Sequence, residues 1–283
     1  MIVVTGANGQ LGRLVIEQLL TTQDPGSIVA TMRDPSQGED LQRAGVKVRH
    51  ADYTKPETLD AALEGATKLL LVSSSEVGQR VVQHSHVVDA AVRAQIGLLA
   101  YTSILHAPTS PLALATEHRA TEDYIRESRV PAVLLRNGWY TENYLQGVPA
   151  ALALGTLYGC AGTGRIGSAA RKDYAAAAAA VLTQPGHAGE VYELAGDDAY
   201  TLAEFAAELG RLTGRSIPYA DLPEPAYQDA LVKAKLPPAL ASMLANSEAG
   251  AALGGLFGAQ PQLSQLIGRP TTPWTEQLRT ALT

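Results

Sequence analysis

Two kinds of apolar patterning alternate through the first half of the chain. Predominantly apolar runs occur at Ile2–Val4, Ser27–Met32, Lys68–Val72, Gly97–Thr102 and Pro131–Leu135, and Val46–Arg49 reads as a further strand. Apolar runs of this length suit strands buried on both faces. Between them the apolar positions recur every three or four residues. Leu11, Leu14, Val15 and Leu19 form one such stripe, and Val81, Val82, Val87, Val88, Ala91 and Val92 form another within 79–94. Helices are also predicted from Pro56 to Glu64 and over about 112–128. Six strands with intervening helices predict an α/β fold, a doubly wound parallel sheet of the Rossmann type with right-handed crossovers.

The alternation weakens beyond Arg136. Residues 1–136 therefore read as the Rossmann domain and 137–283 as a smaller C-terminal α+β lobe, from which segments could return to the Rossmann sheet. Ala150–Gly155, a helix around Tyr174–Leu182, a strand at Val191–Leu194 and a helix opened by Thr201, with Glu204 completing a capping box, are expected there. Pro237-Pro238 and Gly254-Gly255 are expected to break the remainder into short elements.

Composition narrows the function classes. The chain has 283 residues, 46% hydrophobic and 18% charged, the balance of a folded globular protein. A net charge of −6 supplies no basic footprint for nucleic acid. No apolar run reaches the roughly 18 residues of a spanning helix, so no membrane span is expected. The first strand starts directly after Met1, which leaves no room for a signal peptide and makes a cytoplasmic location the expectation. Cys160 is the single cysteine and the six histidines are scattered, so no metal site is expected. Oligomeric state is not legible.

Candidate chemistry gathers where the predicted strands end. Gly6, Gly9 and Gly12 follow the first strand at three-residue spacing. In a strand–turn–helix unit Gly6 permits the sharp turn, Gly9 the approach of backbone N–H groups to a pyrophosphate, and Gly12 close packing of the helix on the sheet. Arg33 ends the second strand, where a carboxylate would select NAD and a cation selects the 2′-phosphate of NADP(H); the alternative is a solvated charge. Asp34 with Pro35 reads as a cap, and Asp52 either meets the adenine or caps a turn. Ser73, Ser74 and Ser75 end the fourth strand, where small hydroxyl residues leave room for a ribose, or simply turn the chain. Asn137–Asn143, NGWYTEN, places Trp139 and Tyr140 at the ligand edge.

Taken together, TGANGQLG, the Arg33 strand end, LLLVSSSEVGQR, AYTSILHA, LLRNGWYTENY, RKDYAAAAA, VYELAGD and LIGRPTT resemble the NmrA-like atypical short-chain dehydrogenases over nearly the whole chain. The resemblance implies an NADP(H)-binding reductase. Gly6, Ala7, Asn8, Gly9, Gln10 and Leu11 would hold the pyrophosphate, Arg33 the 2′-phosphate, and Ser73–Ser75 the ribose side. Asn137, Gly138, Trp139, Tyr140, Thr141, Glu142 and Asn143 would close over the nicotinamide and the acceptor, and Ala169 would touch the cofactor. Typical short-chain dehydrogenases carry a Tyr and a Lys four residues apart on the helix after the fifth strand; here the matching positions are His118 and Glu122. Without that proton-delivering dyad the acceptor should be easily reduced, as a quinone is, taking hydride directly with neither flavin nor metal. His118 is either a proton donor or an exposed helix histidine, and Ser103 and Tyr140 either polarise an acceptor oxygen or pack. The competing readings are an NADP(H)-sensing regulator without turnover and a reductase of cationic dyes or imines.

Overall fold

The computed structural model describes residues 1–283. Its first elements are β1 (Ile2–Val4), α1 (Gln10–Leu20), β2 (Ile28–Met32), α2 (Glu39–Arg43), β3 (Lys47–His50), α3 (Leu59–Ala62) and β4 (Lys68–Leu71). Next come α4 (Arg80–Arg93), β5 (Leu98–Ile104), α5 (Ala115–Ser128), β6 (Ala132–Asn137), α6 (Thr141–Leu145), α7 (Val148–Leu154) and β7 (Leu157–Gly159). The chain ends with α8 (Arg171–Thr183), β8 (Val191–Leu194), α9 (Leu202–Thr213), β9 (Tyr219–Asp221), α10 (Glu224–Lys233), α11 (Pro238–Ala252), α12 (Gln262–Ile267) and α13 (Trp274–Ala281).

Seven strands form one sheet in the order β3-β2-β1-β4-β5-β6-β8, with parallel pairing from β3 through to β6. This is the doubly wound order, extended by one strand. The register sets Val3 opposite both Val29 and Leu69, and these three are fully buried with Leu71, Leu99 and Tyr101. Burial on both faces is why the inner strands read as apolar runs, whereas the edge strand β3, KVRH, is exposed at Lys47 and His50. Strand β8, read from the sequence as part of the C-terminal lobe, lies beside β6: Gly189 N–H donates to Ala132 O at 2.7 Å and Leu134 N–H to Glu190 O at 3.0 Å. Pairing there satisfies backbone groups of β6 that would otherwise form a sheet edge.

The chain clusters into two compact units. The first comprises 1–104, 117–137 and 171–192; the second comprises 105–116, 138–170 and 193–283. In the first, α8 packs against α1, and its alanine tract explains itself, since small side chains allow two helix backbones to approach closely. In the second, β7 and β9 form a two-stranded parallel sheet. Tyr200 lies 4.5 Å from Trp274 between ring centroids, with Phe205 and Tyr144 packed alongside. The Thr201–Glu204 capping box opens α9. Helices α10 and α11 run for 10 and 15 residues, longer than the short elements expected. The reason is that Pro237 and Pro238 stand at the N-cap and first position of α11, where proline is pre-set for a helix start.

Candidate functional site

The turn after β1 follows from its glycines. Gly6 adopts φ +58°, a left-handed conformation that glycine takes without strain. A Cβ on Gly12 would lie 2.5 Å from Gly6 O and 2.9 Å from the Ala7 Cα. Gly12 is thus required by contact between the helix and its own turn, not between the helix and the sheet as expected. Gly9 caps α1 without a side-chain hydrogen bond, and the first turn holds no acidic residue. The first-turn N–H groups therefore remain for an anion, with the positive end of the helix dipole behind them. Gly6, Asn8, Gly9 and Gln10 are exposed, whereas Ala7 and Leu11 are buried anchors. The outer side chains are tied aside: Asn8 bonds Gln37, and Gln10 accepts from Arg171. A turn presenting bare backbone in this way fits a dinucleotide pyrophosphate.

At the end of β2, Arg33 is 73% exposed and its Nη1 lies 3.2 Å from Glu76 Oε1. Asp34 accepts from Ser36 N–H at 3.1 Å and Ser36 Oγ at 2.7 Å, bonds that hold its carboxyl below the usual carboxylate range. It is a cap, as read. Asp52 likewise accepts from Thr54 N–H and Oγ, and so caps a turn.

The loop after β4 is pinned from several directions. Ser73 N–H donates to Thr102 Oγ1 at 2.8 Å, Ser74 N–H to His84 Nε2 at 2.9 Å, and Arg80 Nε to Ser74 O at 2.6 Å. Because His84 Nε2 accepts, its proton sits on Nδ1, which donates to Thr121 Oγ1 at 3.0 Å. Burial, assisted by the nearby Arg80 cation, pushes the His84 pKa down to about 3 and keeps the ring neutral. Glu117 Oε1 accepts from Gly78 and Arg80 N–H, while Glu117 Oε2 and Arg80 Nη1 are buried without partners. His84, Arg80 and Glu117 were not singled out in the sequence. The available signal was a polar residue, His84, within the apolar stripe that Val81 and Val88 define.

The two positions that replace the dehydrogenase dyad are buried. His118 Nδ1 lies 2.7 Å from the Tyr101 hydroxyl, and burial with the nearby Arg80 cation pushes its pKa down to about 3. His118 is 5% exposed, so it is not an exposed helix histidine. Being neutral near pH 7, it also offers no imidazolium acid. Glu122 accepts from the Ser103 hydroxyl and, at 2.9 and 2.6 Å, from Arg136 Nε and Nη2. Both positions thus lace α5 to the sheet, and the Ser103 hydroxyl is committed to Glu122. Asn137, the last residue of β6, keeps its side-chain oxygen buried without a partner, as a ligand donor would require. Strand order sets Arg33, Gly6, Ser73, Ser103 and Asn137 along one carboxyl edge of the sheet, the edge at which open α/β sheets bind ligands.

In the second unit, Trp139–Thr141 and Ala169 come together. Ala169 N–H donates to Trp139 O at 3.1 Å and Thr141 N–H to Ala169 O at 3.0 Å. Thr141, fully buried, continues inward through Ser168 Oγ and the Tyr200 hydroxyl at 2.8 Å each. Gly138, Trp139, Tyr140, Glu142 and Asn143 are half-buried.

Sheet order, glycine turn and carboxyl-edge side chains together define a dinucleotide-binding Rossmann protein. The chain belongs to the NAD(P)H-binding family, whose model matches residues 6–185. It is 52% identical over 278 residues to quinone oxidoreductase 2 of Escherichia coli K12, covering 98% of this chain and 97% of that one. The crystal structure of the E. coli NADPH-dependent quinone oxidoreductase complexed with NADPH superposes with a TM-score of 0.98 at 51% identity, covering 100% of both chains. The Citrobacter sp. triphenylmethane reductase complexed with NADP(H) matches with a TM-score of 0.96 at 35% identity, over 99% of this chain and 100% of that one. The family resemblance and the fold class read from the sequence are borne out. No helix is long and apolar enough to cross a membrane.

Proposed function

We propose that this chain is an NADPH-dependent reductase that passes hydride to a quinone. The observation that carries the reading is the fate of the dyad: in place of its Tyr and Lys stand His118 and Glu122, both buried and bonded to the sheet through Tyr101, Ser103 and Arg136. Identity of 52% to quinone oxidoreductase 2 supports the acceptor class. Bound NADPH supplies the hydride from its nicotinamide ring. Hydride addition to a quinone gives a delocalised hydroquinone anion, which takes its proton from water and needs no side-chain acid. The turn from Gly6 to Leu11 holds the pyrophosphate, Arg33 the 2′-phosphate and Ser73–Ser75 the ribose. Asn137–Asn143, with Ala169 behind Trp139, serves the nicotinamide and the acceptor. Trp139 and Tyr140 offer flat faces for a quinone ring, and the Tyr140 hydroxyl a donor for its oxygen. Holding the two rings together is the main catalytic work.

NADPH oxidation measured against a panel of quinones tests the proposal. Acceleration by several quinones is expected; NADPH binding with no turnover on any of them overturns it. Arg33→Ala is expected to weaken NADPH binding by about 10- to 100-fold, the value of a charged hydrogen bond to phosphate, and to leave NADH binding unchanged. Equal losses for both cofactors would remove Arg33 from the phosphate site.

A further inference from the structure

Arg33 already has an anionic partner within its own chain. Its Nη1 lies 3.2 Å from Glu76 Oε1, on the loop that follows β4. The carboxylate of Glu76 is held there by a second bond, since Gln83 Nε2 donates to Oε2 at 2.7 Å and Gln83 is buried. Its backbone is fixed as well: Glu76 N–H donates to Ser74 Oγ at 3.1 Å, and Ser74 is bonded to His84 and Arg80. Asp52 also feels the Arg33 charge, but its carboxylate is occupied by Thr54.

We infer that Glu76 is a specificity-determining residue for the cofactor, an internal competitor for the guanidinium that reads the 2′-phosphate. The inference rests on the assignment of Arg33 to that phosphate. Glu76 cannot swing far from Arg33, because Gln83 and the Ser74 turn keep it in place. A 2′-phosphate bound to Arg33 must therefore share the guanidinium with Glu76 or displace it, with a carboxylate close by. An unphosphorylated ribose meets neither cost.

Two opposing effects decide the sign. Glu76 orders the Arg33 side chain in advance, which favours phosphate binding, and it competes with and repels the phosphate, which opposes it. The pair is solvent-exposed, at 73% and 44%, so the ordering contributes little. Repulsion acts on a group carrying nearly two negative charges near neutral pH and is the larger effect. Glu76 thus restrains NADPH affinity and favours release of the oxidised phosphorylated cofactor.

The test is cofactor titration of the full chain carrying Glu76→Gln, beside wild type and Arg33→Ala. Glutamine keeps an oxygen for Gln83 and removes only the charge. NADPH is expected to bind about threefold to tenfold more tightly, with NADH unchanged. The gain should shrink in about 0.5 M salt, where the Debye length falls to a few ångströms. It should shrink again below about pH 6, where the phosphate loses a charge. Unchanged or weaker NADPH binding, or equal shifts for both cofactors, overturns the inference. If Arg33→Ala abolishes the preference for NADPH while Glu76→Gln changes nothing, only the role of Glu76 fails. If Arg33→Ala leaves the preference intact, the reading of Arg33 fails and the role of Glu76 with it.

Discussion

Glu122→Ala is expected to lower the unfolding free energy by about 3–5 kcal/mol, read from urea denaturation. Glu122 is 2% exposed and accepts from three donors, the Ser103 hydroxyl and two nitrogens of Arg136, whose side chain is itself only 12% exposed. Removing the carboxylate takes two charge-assisted bonds from a buried guanidinium and one from the Ser103 hydroxyl, and their loss dominates the cost. The pair as a whole contributes much less, because both ions give up hydration to form it. The double variant Glu122→Leu/Arg136→Leu should therefore recover more than half of the loss. A Glu122→Ala cost under about 1 kcal/mol, or a double variant no better than the single, would refute this account. Glu122→Lys, which restores one residue of the dehydrogenase dyad, should fold least well, since it sets an ammonium against Arg136. The absent dyad is thus built into the packing of α5 on the sheet and is not open to single-site reversion.

What the sequence made legible depended on how local the cause was. Strands buried on both faces need nothing but consecutive apolar residues, so β1, β2 and β4 could be read almost to the residue. The glycine turn was legible because its conformation is enforced within twelve residues, although the partner of Gly12 was misassigned. His118 and Glu122 were found by spacing, but their bonds to Tyr101 and Arg136 join residues 17 and 14 positions apart, and no local pattern reports those. The place of β8 beside β6 was hidden for the same reason: strand neighbours are chosen by the sheet. His84 shows the limit most directly. Its ring replaces an apolar side chain on the inner face of α4 and spans from Ser74 to Thr121, a bridge that only the packed structure discloses.

Glu248 in the second unit is expected to make stability fall as pH rises from about 4.5 to about 7. It is 9% exposed on α11; Oε2 accepts from Cys160 N–H at 2.9 Å and Oε1 from the Tyr227 hydroxyl at 3.0 Å. Burial pushes its pKa up from 4.5 to about 7; the two hydrogen bonds oppose the rise, and the Asp221 carboxylate adds to it. The folded chain therefore binds a proton that the unfolded chain releases between those values. Stability from this group is complete below about pH 4.5 and lost as pH climbs through 7, by about 3 kcal/mol in all. Glu248→Gln isolates the effect. The Tyr227 hydroxyl can turn to accept from the amide, just as it can from a protonated carboxyl, while the amide oxygen keeps Cys160 N–H. Histidines held neutral by burial act in the opposite direction, since His84 and His118 must gain protons when the chain unfolds in acid, but they do so equally in both proteins. The difference in unfolding free energy, variant minus wild type, should therefore be flat below pH 4.5, rise by about 3 kcal/mol up to pH 7 and level off above it. Parallel stability curves across that range would show that Glu248 titrates as an ordinary carboxylate.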